Sequence, residues 1–299
     1  MEFGRVAESL LSKIDFSLPK EPASNKHILK GSKTTNPKVY VGCAKWGRKD
    51  WIGKIYPKGT PEKDFLKLYV EHFNSIELNA TSYKMPTLDQ VKTWEEKAKG
   101  QNFLFCPKLV RYILPSPDMA KQQELIKSFL TAVSGFEKNL GPVFLLLQEN
   151  FGPSKSKILY EFLHDFPKGH QLFVELRHSG WYSDDSLLKE LMKEFTLENI
   201  GFIITDTAGR RDMTHMQLTI PKTFIRFVGN SLHKTDYARC DAWVKRIQYW
   251  LKNGLQELYF FMHMHDEATS PELISYFINE LNEKCSLNLH NPDWRKYDK

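Results

Sequence analysis

Cysteine is scarce in this chain of 299 residues. The four cysteines, Cys43, Cys106, Cys240 and Cys285, lie far apart and form no CxxC pair. Three of them lie in or beside apolar runs, a setting that suits buried reduced thiols better than a disulfide framework or a zinc site. We therefore expect four inert thiols.

Long apolar runs are also missing from the N-terminal segment. From Met1 to Pro37 charged and apolar residues alternate. A signal peptide or a membrane span would need an uninterrupted apolar stretch. We therefore expect a cytoplasmic protein without a membrane partner.

The charge surplus is modest, with a formal net charge of +6. Such a surplus favours anionic ligands without demanding them. The lysines are scattered, with local groups only between Lys45 and Lys58 and at Arg210–Arg211, whereas proteins that bind nucleic acid usually concentrate their charge. A basic surface that contacts only solvent explains these groups as well as a binding role does.

Short β-branched or aromatic runs alternate with amphipathic stretches along most of the chain, as in parallel strands joined by crossover helices. Most of these runs are apolar on both faces, which is typical of strands buried in a barrel. The eight runs are Lys38–Trp46, Ser75–Thr81, Asn102–Leu109, Pro142–Gln148, Gln171–His178, Ile200–Thr207, Thr223–Gly229 and Glu257–Met264.

Helical patterns fill most of the intervals. They are Pro61–Phe73, Leu88–Lys99, Met119–Lys138, Lys155–Asp165, Ser186–Phe195, Asp241–Lys252 and Pro271–Lys284. The interval from Asp206 to Thr223 is too short and too polar for a full crossover helix, so we expect a loop there with at most one helical turn. The sequence thus predicts an α/β fold, a (β/α)8 TIM barrel with a truncated sixth crossover.

The chain has no repeat or low-complexity tract that would divide it, but Ser32–Lys38 has the composition of a flexible join. We therefore expect an N-terminal extension over residues 1–37 and a barrel domain over residues 38–299.

Several segments, taken in order, resemble the YecE-like family, also described as domain of unknown function 72. They are Gly42–Trp46, Trp51–Gly53, Tyr56–Pro57, Phe73–Pro86, Phe103–Lys108, Gly141–Gln148, Val174–Tyr182, Asp206 and Phe224–Gly229. The resemblance covers about Val39 to Leu287. It implies a TIM barrel and does not imply a reaction.

The chain departs from the family pattern at the ends of two strands. Val228–Asn230 stands where many members have His-Gly-Arg, and Met262–Asp266 replaces the usual Phe-Asn-Asn. Glu149 takes the place of a proline, and the Thr-His expected after the third strand is absent. Chemistry that depends on these positions would be altered or lost.

Barrel enzymes carry their reacting groups at the carboxyl ends of the strands, where the loops converge around one mouth. Because residues two apart in a strand share a face, polar side chains near these ends are predicted to meet there. The mouth set is Glu77, Lys108, Gln148, Glu175, Arg177, Asp206, Arg226 and His263.

Roles follow from chemical type. Glu175, Asp206 and Glu77 are the candidate catalytic groups, with Glu175 as a base or ligand held by Arg177. The candidate substrate-binding residues are Arg177, Arg226, Lys108, Gln148, Asn79, Trp46, Tyr83 and Trp181. The alternatives are a structural ion network for the charged groups and ordinary loop packing for the aromatic ones.

A divalent metal is a candidate cofactor, with Glu77, Glu175, Asp206 and His263 as candidate ligands. The neighbouring cations Arg177, Arg226 and Lys108 would repel it. The residues alone therefore leave the metal question open.

Three functions remain open at this point. The first is an enzyme, whether hydrolase, lyase or isomerase, that performs acid–base or metal-assisted chemistry on a small anionic or phosphorylated substrate. The second is a nuclease-like barrel that binds nucleic acid through aromatic loops and scattered lysines. The third is a non-catalytic interaction protein with a decayed site.

Overall fold

Parallel strands arranged in a ring form the centre of the molecule. The computed structural model describes residues 3–31, 34–293 and 297. The strands are β1 (Lys38–Cys43), β2 (Ser75–Leu78), β3 (Leu104–Pro107), β4 (Val143–Leu147), β5 (Leu172–Leu176), β6 (Gly201–Phe202), β7 (Ile204–Asp206), β8 (Lys222–Gly229) and β9 (Glu257–Met264). The strands β6 and β7 are two halves of one barrel strand, interrupted at Ile203, whose N–H still donates to the Val174 carbonyl at 2.9 Å.

Three sheet segments close into the ring. Parallel ladders join β1, β9, β8 and β7 in that order, then β4, β5 and β6, and separately β2 and β3. Isolated bridges from Phe105 to Leu140 and from Lys108 to Phe144 connect β3 with β4. Between β1 and β2 the Asn74 side chain accepts from the Val41 N–H at 2.7 Å and donates to the Val39 carbonyl at 2.8 Å. The eight-stranded TIM barrel predicted from the sequence is confirmed.

Helices surround the ring at the predicted places. They are α1 (Glu8–Leu11), α2 (Asn25–Leu29), α3 (Phe65–His72), α4 (Leu88–Ala98), α5 (Met119–Val133), α6 (Ser156–Asp165), α7 (Asp185–Leu197), α8 (Lys234–Asn253) and α9 (Ser270–Cys285). The short helices α1 and α2 belong to the N-terminal segment, where we predicted no helix. Of the predicted join Ser32–Lys38, residues 32 and 33 lie outside the described residues.

Helix α8 begins at Lys234, well before the predicted start at Asp241. Its first turns carry buried polar side chains, which made the sequence resemble a loop. Asp236 accepts from the Asn230 N–H at 2.7 Å and from Arg239 at 3.2 Å. Pairing of these groups inside the fold removes the cost of burying them.

The sixth crossover is truncated, as predicted. Between β7 and β8 the described chain forms one 3₁₀ turn at Arg211–Met213 and no α-helix. The loop therefore leaves the end of the sixth strand open to contact from another part of the chain.

Alternating faces of the strands form two separate apolar layers. Residues such as Ile76, Val174 and Phe260 belong to the large core that packs under the helices. Their neighbours form a second cluster inside the ring, made of Tyr40, Cys106, Phe144, Phe173, Ile203, Ile220, Phe224, Tyr259 and Phe261. This inner cluster is the apolar floor of the barrel, and side chains two residues further along each strand lie above it.

The four cysteines are free thiols, three of them buried and Cys285 half-buried, in agreement with the sequence-based expectation. Among the described residues no helix has both the length and the apolar character that crossing a membrane requires.

Gly42 in β1 provides the first testable prediction, because a Cβ there would lie 1.9 Å from the Ser75 carbonyl oxygen of β2. Gly42→Ala should lower the free energy of unfolding by more than about 2 kcal/mol, since backbone of β1 and β2 would have to separate. Gly169→Ala is the matched control, because a Cβ at Gly169 meets nothing within 4 Å. Urea titration of both variants measures the difference, and equal midpoints would contradict the close approach of these strands.

Candidate functional site

Arg226 of β8 lies above the apolar floor and joins two carboxylates from opposite parts of the ring. Its Nε donates to Glu77 Oε2 at 2.9 Å, and one terminal nitrogen donates to Glu77 Oε1 at 3.0 Å. The other terminal nitrogen donates to Glu175 Oε2 at 2.5 Å. All three side chains are buried. A single guanidinium therefore fixes the spacing between β2, β5 and β8 at this level of the barrel.

Other groups take the remaining positions around Glu77. Asn79 donates to Glu77 Oε1 at 2.8 Å, and His263 Nε2 lies 2.8 Å from Glu77 Oε2. His263 belongs to the segment that departs from the family pattern, so this departure supplies a member of the cluster.

Glu175 is held in the same manner. Arg177 Nε donates to its Oε1 at 2.7 Å, and Thr205 Oγ1 donates to its Oε2 at 2.6 Å. Every oxygen of the two carboxylates thus accepts at least one hydrogen bond. The cluster consists of Glu77, Asn79, Glu175, Arg177, Thr205, Arg226 and His263, with Lys108 beside it.

The charge state of the carboxylates follows from this pairing. Burial alone would raise the pKa of each, but Arg226 and Arg177 hold the pKa of Glu175 down at about 2. Arg226 and His263 hold the pKa of Glu77 well below its usual range. Both carboxylates are ionised at neutral pH, and their pKa values make them poor proton acceptors there.

Lys108 follows β3 and differs from its charged neighbours. Its side chain is half-buried, and its ammonium lies 5.9 Å from the centre of the Phe144 ring of the apolar floor. Within the described part of the chain this ammonium has no hydrogen-bond or ion-pair partner. Burial and the positive charge of Arg226 lower the pKa of Lys108 to about 8, although Glu77 and Glu175 oppose the change.

The N-terminal segment reaches the mouth and covers part of it. The Phe3 ring lies over the Arg177 guanidinium, 3.8 Å from ring centre to guanidinium carbon. The Gly4 carbonyl accepts from the Gly209 N–H at 2.8 Å and from Thr207 Oγ1 at 3.2 Å. The truncated sixth crossover thus provides the surface on which this segment rests.

The expected mouth position of Asp206 is wrong. Asp206 shares a face with Ile204, and that face packs against α8, where Trp243 Nε1 donates to Asp206 Oδ2 at 2.7 Å. Asp206 also pairs with Arg239 at 2.9 Å and with Arg211. Burial would raise its pKa, but Arg239 and Arg211 lower it below the usual value.

Thr205, on the opposite face of the same strand, is the residue that reaches Glu175. Sequence reasoning missed it, although alternation from the inward Ile203 would have identified it.

The other predicted substrate-binding side chains make no hydrogen bond to the cluster within the described part of the chain. Trp181 is buried and donates to the Phe151 carbonyl at 2.8 Å. Trp46 packs edge to face on Trp94 of α4 at 5.9 Å. Tyr83 is 70% exposed. Gln148 is also exposed.

The donor set suits an anion better than a cation. The oxygens of Glu77 and Glu175 already accept from Arg226, and Asp206 is on another face of the barrel wall. Among the described residues no group of three or more His, Cys, Asp or Glu side chains is arranged to hold a metal ion. The four candidate ligands therefore do not converge on one point.

A cavity of about 790 Å³ lies at the opposite end of the barrel, lined by residues such as Tyr40, Asn74 and Leu289. Its lining includes no member of the charged cluster. We place the candidate site at the mouth because several charged groups with altered pKa values converge there.

Removal of Arg226 tests the charge network. Arg226→Met should lower the free energy of unfolding by about 3–5 kcal/mol at pH 7, because two buried carboxylates lose their shared cation. The loss should shrink as the pH falls below about 5, where the unpaired carboxyl groups take up protons. Urea titration at several pH values measures both effects.

Arg246→Met serves as the control, because Arg246 pairs with the partly exposed Glu21. An Arg226→Met variant that loses no more stability than this control would contradict the network.

Comparison with known proteins agrees with this architecture. The sequence model of the family described as "Protein of unknown function DUF72" matches residues 40–296. The UPF0759 protein YecE of Escherichia coli (strain K12) is 26% identical over an alignment of 254 positions that covers 79% of this chain and 90% of that protein.

Two solved structures of DUF72 family proteins show the same fold. One, from Enterococcus faecalis, has a TM-score of 0.66 at 15% identity and covers 84% of this chain and 96% of its own. The other, from Thermotoga maritima, has a TM-score of 0.62 at 19% identity and covers 82% of this chain and 99% of its own. The sequence match and the shared barrel together establish that this chain belongs to the DUF72 family.

Proposed function

We propose that the mouth of the barrel binds a small anionic substrate and performs acid–base chemistry on it. One observation carries this proposal. The two carboxylates are already paired with Arg226 and Arg177, and the ammonium of Lys108 adds a further cation beside them. The cluster therefore presents positive charge to a ligand.

Arg177 supports the binding role. Its Nε is held by Glu175, and its side chain is 11% exposed at the mouth. Its terminal nitrogens have no hydrogen-bond partner among the described residues. The Phe3 ring lies over the guanidinium and makes a cation–π contact with it. A guanidinium oriented in this way has the fork geometry that binds a carboxylate or a phosphate through two hydrogen bonds.

Lys108 supports the acid–base role. With a pKa of about 8, it exchanges its proton close to neutral pH, whereas the carboxylates do not. A catalytic acid or base is most effective when its pKa is near the working pH. In this proposal Lys108 moves the proton, and Glu77 and Glu175 position Arg226 and Arg177 instead of acting as bases.

The packing of the aromatic residues favours a small ligand over nucleic acid. Stacking of bases needs exposed aromatic faces. Trp181 is buried and Trp46 is half-buried against Trp94, so of the three predicted aromatic residues Tyr83 alone is exposed, and one ring does not form a stacking platform.

Replacement of Arg177 tests anion binding. We expect the affinity for inorganic phosphate, measured by isothermal titration calorimetry at low salt, to fall about tenfold in Arg177→Gln, because a charge-assisted hydrogen bond contributes about 1.5–3 kcal/mol. Lys189→Gln removes one exposed positive charge from α7 and controls for the net charge. Equal affinities in the two variants would mean that Arg177 is not the binding group.

Removal of the Phe3 ring tests whether the N-terminal segment limits access. Phe3→Ala should strengthen phosphate binding by about threefold to tenfold, since a ligand no longer competes with a cation–π contact. The control is Phe16→Ala, whose ring lies over Arg239 at 5.0 Å, outside the cluster. Unchanged binding in Phe3→Ala would show that the segment does not cover the anion site.

A further inference from the structure

Among the charged side chains of the mouth, Lys108 has the fewest hydrogen-bond and ion-pair partners in the described part of the chain. Glu77 and Glu175 each accept from Arg226 or Arg177 at 3.0 Å or less. By contrast, the described residues supply no hydrogen-bond partner for the Lys108 ammonium, which lies over the apolar Phe144 ring. The contrast points to a function in which the amine itself is needed.

The local charge balance makes Lys108 lose its proton more readily than an ordinary lysine does. Two carboxylates face two guanidinium groups, so a proton on Lys108 adds an uncompensated positive charge close to Arg226. A partly buried lysine next to another cationic group is an arrangement that produces a nucleophilic amine. With a pKa of about 8, roughly one Lys108 in ten is neutral at pH 7, a fraction on the order of a hundred times that of an ordinary lysine.

We propose that Lys108 forms an imine with a carbonyl-bearing substrate, whose anionic group is bound by Arg177. The inference rests on the proposed function, because it puts the same substrate in the same mouth. It specifies the substrate class as an aldehyde or ketone that also carries a carboxylate or phosphate.

The step balances without a further reactant. The neutral Lys108 nitrogen attacks the carbonyl carbon, a C–N bond forms, and the carbonyl oxygen takes up a proton to give a carbinolamine. The C–O bond then breaks, and the oxygen leaves as water after a second proton reaches it. The nitrogen gives up one of its two amine protons when the carbinolamine forms and keeps the other in the iminium ion that remains when water leaves. Loss of this second proton to solvent gives the neutral imine.

Reductive trapping tests this step in the full-length protein. Glyoxylate is the anionic carbonyl probe, formaldehyde is the neutral one, and sodium cyanoborohydride reduces any imine to a stable amine. Peptide mapping by mass spectrometry gives the labelling rate of each lysine at pH 7.

Lys155 is the internal control, because it also lies over a phenylalanine ring, that of Phe151 at 5.4 Å, but is exposed. We expect glyoxylate to label Lys108 at least tenfold faster than Lys155, with a rate that rises with pH up to about 8. The Lys108→Met variant should lose that adduct and keep the one at Lys155. The comparison within the wild-type protein stands even if this variant fails to fold.

The outcomes separate this inference from the proposed function. Equal labelling of Lys108 and Lys155 by both probes would overturn the imine, even if Arg177-dependent phosphate binding is observed. Fast labelling of Lys108 by formaldehyde without any preference for glyoxylate would support the nucleophilic amine and contradict the anion site.

Discussion

The shared salt bridge of Arg226 with Glu77 and Glu175 is the interaction on which the rest of the site depends. Charged groups enclosed in a barrel are costly unless they are paired and fully hydrogen-bonded. Here one guanidinium joins carboxylates from β2 and β5, and Asn79, His263, Thr205 and Arg177 supply the remaining donors. The network holds Glu77 and Glu175 in ion pairs above the apolar floor and leaves donors of Arg177 and Lys108 without a hydrogen-bond partner among the described residues.

Because the carboxylates are committed to cations, the proposed acid–base role falls to the amine beside them. Ion pairing holds the pKa of Glu175 at about 2, while burial and Arg226 bring that of Lys108 to about 8. Neighbouring groups whose pKa values are driven apart are typical of sites with assigned acid–base roles. The N-terminal segment adds a further constraint, since Phe3 lies over the one guanidinium of the cluster that is partly exposed.

Sequence reasoning predicted the barrel because strand and helix patterns alternate along the chain, and it predicted much of the cluster because side chains in a strand alternate between two faces. Glu175, Arg226 and His263 stand two positions beyond apolar inward residues, Glu77 stands two positions beyond Ser75, and the alternation brings them together. Asp206 was placed at the mouth because it ends a strand, although it shares the outward face of Ile204. Thr205 was missed for the same reason, although it shares the inward face of Ile203.

Contacts between distant segments were not predictable in this way. The start of α8 depends on pairing of Asp236 with Asn230 and Arg239, so its polar residues resembled a loop. The contact of Phe3 with Arg177 joins the first residues described to the fifth strand, and no local pattern encodes it.

The most direct test of the central claim is a pH titration of the glutamate carboxyl carbons by ¹³C NMR in the wild-type protein. Assignment by comparison with Glu77→Gln and Glu175→Gln identifies the two buried signals. Glu175 should titrate near pH 2 and Glu77 well below the pKa of about 4.3 that a glutamate has in a model peptide. Titration of either buried group at or above that value would show that Arg226 does not hold the two carboxylates together.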